Sequence, residues 1–137
     1  MSTNSLILSK MMSLLKNTST SCRTKYTLRG ADIDGAAADD YSGYSVSLSS
    51  DGTTVAIGAL GNADNGSDSG HVRIYAWNSA TSAWEQQGAD IDGEAADDWS
   101  GVSVSLSSDG TTVAIGAPYN TGDNGSYSGH VRIYGWH

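Results

Sequence analysis

Residues Gly88–Pro118 read GADIDGEAADDWSGVSVSLSSDGTTVAIGAP, and Gly30–Leu60, fifty-eight positions earlier, read GADIDGAAADDYSGYSVSLSSDGTTVAIGAL. Only four of these thirty-one aligned positions differ: Ala36/Glu94, Tyr41/Trp99, Tyr44/Val102 and Leu60/Pro118. The fold is decided inside this duplicated stretch. Tyr44, Val46 and Leu48 alternate with serines, as do Val102, Val104 and Leu106, which is the period of a half-buried strand. Asp51-Gly52 and Asp109-Gly110 follow, a hairpin signal because glycine supplies the positive φ of a tight turn. TTVAIGA is then the returning strand. Val55 and Ile57 point one way, while Ala56 and Gly58 leave the other face thin enough for a second sheet to approach closely.

Working outward, a Gly/Asn/Ser/Asp loop leads to GHVRIYAW (Gly70–Trp77) and, in the second copy, to GHVRIYGW (Gly129–Trp136). Val72 and Ile74 alternate there with His71, Arg73, Tyr75 and Trp77, giving a third strand. NSATSA reads as a turn and WEQQ, from Trp84, as a fourth strand. Upstream, YTLRG (Tyr26–Gly30) aligns with WEQQG (Trp84–Gly88), so Tyr26–Arg29 is expected to be a lone fourth-strand element ahead of the first full unit. Two repeats of four short antiparallel strands predict an all-β fold of β-propeller blades, as a partial propeller or as part of an oligomeric or longer one. The expected division is an arm over residues 1–24, a first blade with its preceding outer strand over 25–87, and a second blade over 88–137 that lacks its last strand.

Charge is distributed unevenly. Five of the seven basic residues lie before residue 30, and all fifteen acids lie after it. A body this acidic repels phosphate backbones, which argues against nucleic acid as a partner. It suits cation binding and also plain solubility. Cys22 is the only cysteine, which excludes an intrachain disulfide and a cysteine metal cluster. No apolar run is long enough to span a bilayer. The arm carries Ser, Thr and scattered Lys and Arg without an acid, and Leu6, Ile7, Met11, Leu14 and Leu15 fall near helical spacing. It reads as an organelle-targeting segment or as a plain helical or frayed arm, and less well as a secretory signal.

The pattern SGxSVSLSSDGTTVAIGAP followed by GHVRIY resembles the FG-GAP repeat, the blade unit of integrin-α-like β-propellers, over residues 26–137. The resemblance implies a non-catalytic binding or adhesion-type module with a protein or carbohydrate ligand, placed outside the cell or on its surface. It also implies a calcium hairpin of the D-x-N-x-D-G-x-x-D type. This sequence departs from that pattern: the hairpin reads SLSSDGTTV, and only Asp51 and Asp109 keep a carboxylate.

Calcium is instead expected at the acidic linkers, where Asp32, Asp34, Asp39 and Asp40, and in the second copy Asp90, Asp92, Asp97 and Asp98, offer oxygens from a D-x-D-G turn. The competing role for these aspartates is turn-making, by bonding backbone N–H groups nearby. The loop Asn62–Gly70 also carries oxygens, at Asn62, Asp64 and Asp68, but the second copy puts Tyr127 in place of Asp68, so the loop reads as a turn. His71 and His130 read as packing or interface residues rather than zinc ligands, and Trp77, Trp84, Trp99 and Trp136 as inter-blade packing. A propeller hydrolase is the alternative, yet the innermost strand SVSLSS offers no acid, histidine or arginine, and no nucleophile elbow occurs. A truncated structural fragment without its own activity is a further alternative. Self-association through blade edges is expected, with Tyr26–Arg29 of one copy pairing with the third strand of another.

Overall fold

In a computed structural model the described residues are 7–8 and 23–137. The readings of the arm as a targeting or helical segment fall almost wholly on residues outside this set. Between 23 and 137 the regular structure is entirely β. The strands are β1 (Ser42–Leu48), β2 (Thr54–Ala59), β3 (His71–Asn78), β4 (Ala83–Gln86), β5 (Ile91–Asp92), β6 (Ser103–Leu106), β7 (Thr112–Ala117) and β8 (His130–Gly135). No described helix is long and apolar enough to cross a membrane.

The first blade is an antiparallel sheet in the order β1-β2-β3-β4, and the second has the order β6-β7-β8. Each opens on the Asp-Gly hairpin, with Gly52 at φ +69° and Gly110 at φ +73°. The β3–β4 turn places Trp77 opposite Trp84, and their rings meet edge to face at 5.4 Å. Two features differ from the sequence reading. The linker is not wholly loop: Ile91 and Asp92 pair with Val72 and His71, extending the outer edge of the first blade past β4. The expected strand Tyr26–Arg29 does not form. A strand needs a ladder partner, and this segment has none: Tyr26 and Leu28 are exposed, and only Arg29 is engaged. Arg29 accepts a bond from the Trp84 indole at 2.9 Å and donates to the Gly52 carbonyl at 2.8 Å, with its guanidinium 4.6 Å from the Trp77 ring centre.

The strand registers give each blade two unlike faces. Ser45, Ser47, Ala56, Gly58, Val72 and Ile74 share one, here called the serine face. Val46, Leu48, Val55, Ile57, Arg73 and Tyr75 share the other, the aromatic face. The core is the contact between the serine face of the first blade and the aromatic face of the second. Ala56, Val72 and Ile74 pack there on Val113 and Ile115, flanked by Ile91, Val104, Leu106, Tyr134 and Trp136. The thin face around Gly58 does admit a second sheet: a Cβ at Gly58 would fall 2.1 Å from the Gly101 carbonyl oxygen. The serines hydrogen-bond across the seam. Ser45 Oγ donates to the Gly101 carbonyl at 2.6 Å, and Ser47 Oγ accepts from the Leu106 N–H at 2.9 Å.

Candidate interaction faces and an acidic corner

The seam between the blades has a repeating set of parts, and the same parts recur, unpaired, on the outside of the molecule. On the outward aromatic face of the first blade Tyr44, Val46 and Leu48 are exposed, although their counterparts Val102, Val104 and Leu106 are half-buried in the seam. On the outward serine face of the second blade Val131 and Ile133 are exposed, although Val72 and Ile74 are core.

Backbone groups repeat the pattern. The second linker donates from Gly93, Asp97, Trp99 and Ser100 to the carbonyls of Gly70, Ser67, Asp68 and Ser69 in the β2–β3 loop. The N–H groups of Gly35, Asp39 and Tyr41 in the first linker make none of the corresponding bonds. Arg73 and Arg132 hold the linkers in place: each guanidinium donates to a linker carbonyl, Asp34 at 2.6 Å and Asp92 respectively.

The eight linker aspartates do not converge. Asp40 and Asp98 are buried and occupied internally. Asp40 Oδ2 accepts from the Ala37 N–H at 3.0 Å and from Asn62 at 3.3 Å; Asp98 Oδ2 accepts from Ala95 at 3.1 Å and from Asn120 at 2.8 Å. These two make the turn and tie it to the next loop. Asp39 and Asp97 stand in the left-handed region at φ +64° and point to solvent. Asp32, Asp34 and Asp92 are exposed, and the last two lend their carbonyls to the arginines. Of the eight, only Asp90 enters a cluster of three groups with ligand chemistry.

The hairpins do not fit the calcium ion of the integrin-type blade. Asp51 Oδ1 already accepts from Ser49 Oγ at 2.8 Å, the Thr53 N–H at 3.0 Å and Thr53 Oγ1 at 2.7 Å. Asp109 repeats the set with Ser107 and Thr111. One carboxylate, its Oδ1 engaged by its own turn, stands where calcium takes six to eight oxygens. The same hydrogen bonds hold both carboxyls below the ordinary aspartate value. The Thr53 hydroxyl is the largest cause at Asp51, and the Ser107 hydroxyl at Asp109.

The cluster that does form joins Asp64 from the β2–β3 loop, His71 at the start of β3 and Asp90 just ahead of β5. One donor atom from each lies within 4.8 Å of the others. Sequence reasoning missed it because the three are scattered over twenty-seven positions, and only the β3–β5 pairing brings Asp90 back to His71. Of the tryptophans assigned to inter-blade packing, Trp136 lies at the seam. Trp77 and Trp84 pack on each other and on Arg29, and Trp99 meets Tyr119 edge to face at 4.7 Å.

No curated protein matches this chain. Residues 32–75 match the model of a protein family described as the FG-GAP repeat. The matched stretch runs from the first linker through β1 and β2 and most of β3. Residues 32–75 of this all-β chain thus match the FG-GAP repeat, on a stretch that folds into an antiparallel sheet, and the second unit repeats most of that stretch.

Proposed function

We propose that the chain is a non-catalytic interaction module that binds through its outward blade faces, and that the first partner of those faces is another copy of the same two blades. The observation that carries this reading is the exposure of Tyr44, Val46 and Leu48 on one side and of Val131 and Ile133 on the other. The internal seam supplies the template. It already joins a serine face to an aromatic face with nearly the same residues, so a second copy needs no new complementarity. Exposed contiguous apolar strand faces of this kind mark interaction sites. In such a contact Ile33 and Asp34 of one copy would pair with Val131 and His130 of another, as Ile91 and Asp92 pair with Val72 and His71 within the chain. The contact is head to tail, and it closes into a ring or runs on as a fibre.

Adhesion-type binding of another protein at the cell surface is the wider role that the repeat suggests, and the same faces would serve it. Light scattering coupled to gel filtration tests the reading. Association that rises with concentration and is lost in Ile133→Asp supports it. A monomer at every concentration, unaffected by that change, would leave the faces to a different protein.

A further inference from the structure

His71 is fully buried, and neither of its ring nitrogens has a hydrogen-bond partner. Burying an imidazole with both nitrogens unserved is disfavoured, so the position asks for a ligand. Two carboxylates face it, from Asp64 and Asp90. We propose that Asp64, His71 and Asp90 form a binding site for a divalent cation of the zinc class, held by one imidazole nitrogen and two carboxylate oxygens.

The spacing supports a metal more than a proton. A tetrahedral ion with bonds of about 2.1 Å keeps its donor atoms about 3.4 Å apart. His71 Nδ1 and Asp90 Oδ2 are separated by 3.4 Å and make no hydrogen bond. Asp64 is exposed and supplies the third donor, within 4.8 Å of the other two. Each carboxylate is steadied from behind by an amide, Asp90 by Gln86 and Asp64 by Asn62, the outer-shell support that metal ligands commonly have. A neutral imidazole and two carboxylates balance the charge of one divalent cation. Imidazole suits zinc-like ions and not calcium, which takes oxygen almost exclusively. Three protein ligands leave the fourth position to water.

The second blade does not repeat the arrangement. His130 Nδ1 lies 3.7 Å from Glu94, whose other oxygen lies 3.7 Å from Arg132, and among the described residues no second trio of donors comes together. The expected stoichiometry is therefore one ion per chain. Bound there, the ion would staple the second linker to β3 and so fix the path from one blade to the next.

The test is calorimetry with Zn2+ alone, on the full chain carrying His130→Gln and His137→Gln to remove the other histidines. One ion should bind per chain with a dissociation constant of about 10 µM or lower. Asp64→Asn, at an exposed position that leaves folding intact, should weaken binding at least about tenfold, and Asp90→Asn likewise. Asp32→Asn with Asp34→Asn should leave it unchanged, and excess Ca2+ should not compete. Co2+ in place of Zn2+ should give the visible absorption of a four-coordinate site and broaden the His71 ring resonances. The site does not depend on blade faces associating: Ile133→Asp should bind as the parent does, and loss of binding there would place the ion between copies and overturn the proposal. Absence of Zn2+ binding, or binding indifferent to both Asp64→Asn and Asp90→Asn, would overturn it too.

Discussion

Ile74 and Ile133 occupy the same place in the same pentapeptide, HVRIY, at the same point of the third strand of their blades, yet Ile74 is 3% exposed and Ile133 is 70% exposed. The difference lies in what covers them. Ile74 meets the aromatic face of the second blade, whereas the serine face that carries Ile133 looks outward. Truncation should therefore separate the two. Ile74→Ala should cost about 2–5 kcal/mol of folding stability, the loss for a buried isoleucine. Ile133→Ala should stay within about 0.5 kcal/mol in dilute solution, as for an ordinary surface change. Denaturant melts at low protein concentration measure both, and equal losses would contradict the assignment of the faces.

A head-to-tail contact makes a distinctive prediction for mixtures. Val46→Asp spoils the outward aromatic face and keeps the outward serine face; Ile133→Asp does the reverse. Neither variant alone should associate, because each lacks one half of the contact. Mixed in equal amounts, they should form a one-to-one pair and nothing larger. A two-fold contact between like faces would instead leave the variant whose contacting face is intact able to form its own dimer. Light scattering of the two variants and of the mixture decides between these.

Asp51 and Asp109 give the fold an acid sensitivity with a definite sign. Their folded carboxyls are held below the ordinary value of 3.8 by hydroxyl and N–H donors. A depressed carboxyl stabilises the fold above its unfolded pKa, and that stabilisation is lost as pH falls through the folded pKa. Thermal midpoints should therefore be insensitive to these two groups from neutral pH down to about 5 and should fall below about 4. Asp51→Asn with Asp109→Asn keeps the Oδ1 acceptor and removes the titration, so the acid fall should flatten. An unchanged profile in the double variant would show that the hairpins do not contribute.

Much of this architecture was legible because its signals are local. Asp-Gly turns, serine–apolar alternation and the HVRIY strand each lie within a few residues, and the duplication made every one of them visible twice. What escaped was set by pairing across the chain. Ile91–Asp92 is too short and too acidic to read as a strand, and it becomes one only because Val72 and His71 offer an open edge beyond β4. Tyr26–Arg29 has the pattern of a strand, but only Arg29 is engaged, by the indoles of Trp77 and Trp84, in place of a ladder. Alternation separated the two faces of each blade without saying which would be covered: in the first blade the serine side is packed and the apolar side of β1 is bare. The aspartates differ among themselves for a related reason. Asp40 and Asp98 look like ligands in sequence, but each is taken by its own turn and by the asparagine of the following loop.

Gly58 and Gly116 offer the sharpest separation between folding and association. Both sit in the returning strand on the serine face, and both lie against a serine: an added Cβ would meet Ser45 Oγ at 2.3 Å or Ser103 Oγ at 2.4 Å. A hydroxyl can rotate away. At Gly58, however, the same Cβ would also meet the Gly101 backbone oxygen at 2.1 Å, and a backbone cannot yield so easily. Gly116 has no such neighbour, because its face looks outward. Gly58→Ala should consequently force the two blades apart and cost about 1–3 kcal/mol, the range for overpacking a close contact. Gly116→Ala should fold with little loss of stability. If copies associate as the seam does, Gly116 of one copy faces Gly43 of the next, as Gly58 faces Gly101, and the added methyl should abolish association. Melting curves and light scattering on the two variants read the effects separately. Association that survives Gly116→Ala would show that copies do not meet through a contact built like the internal seam.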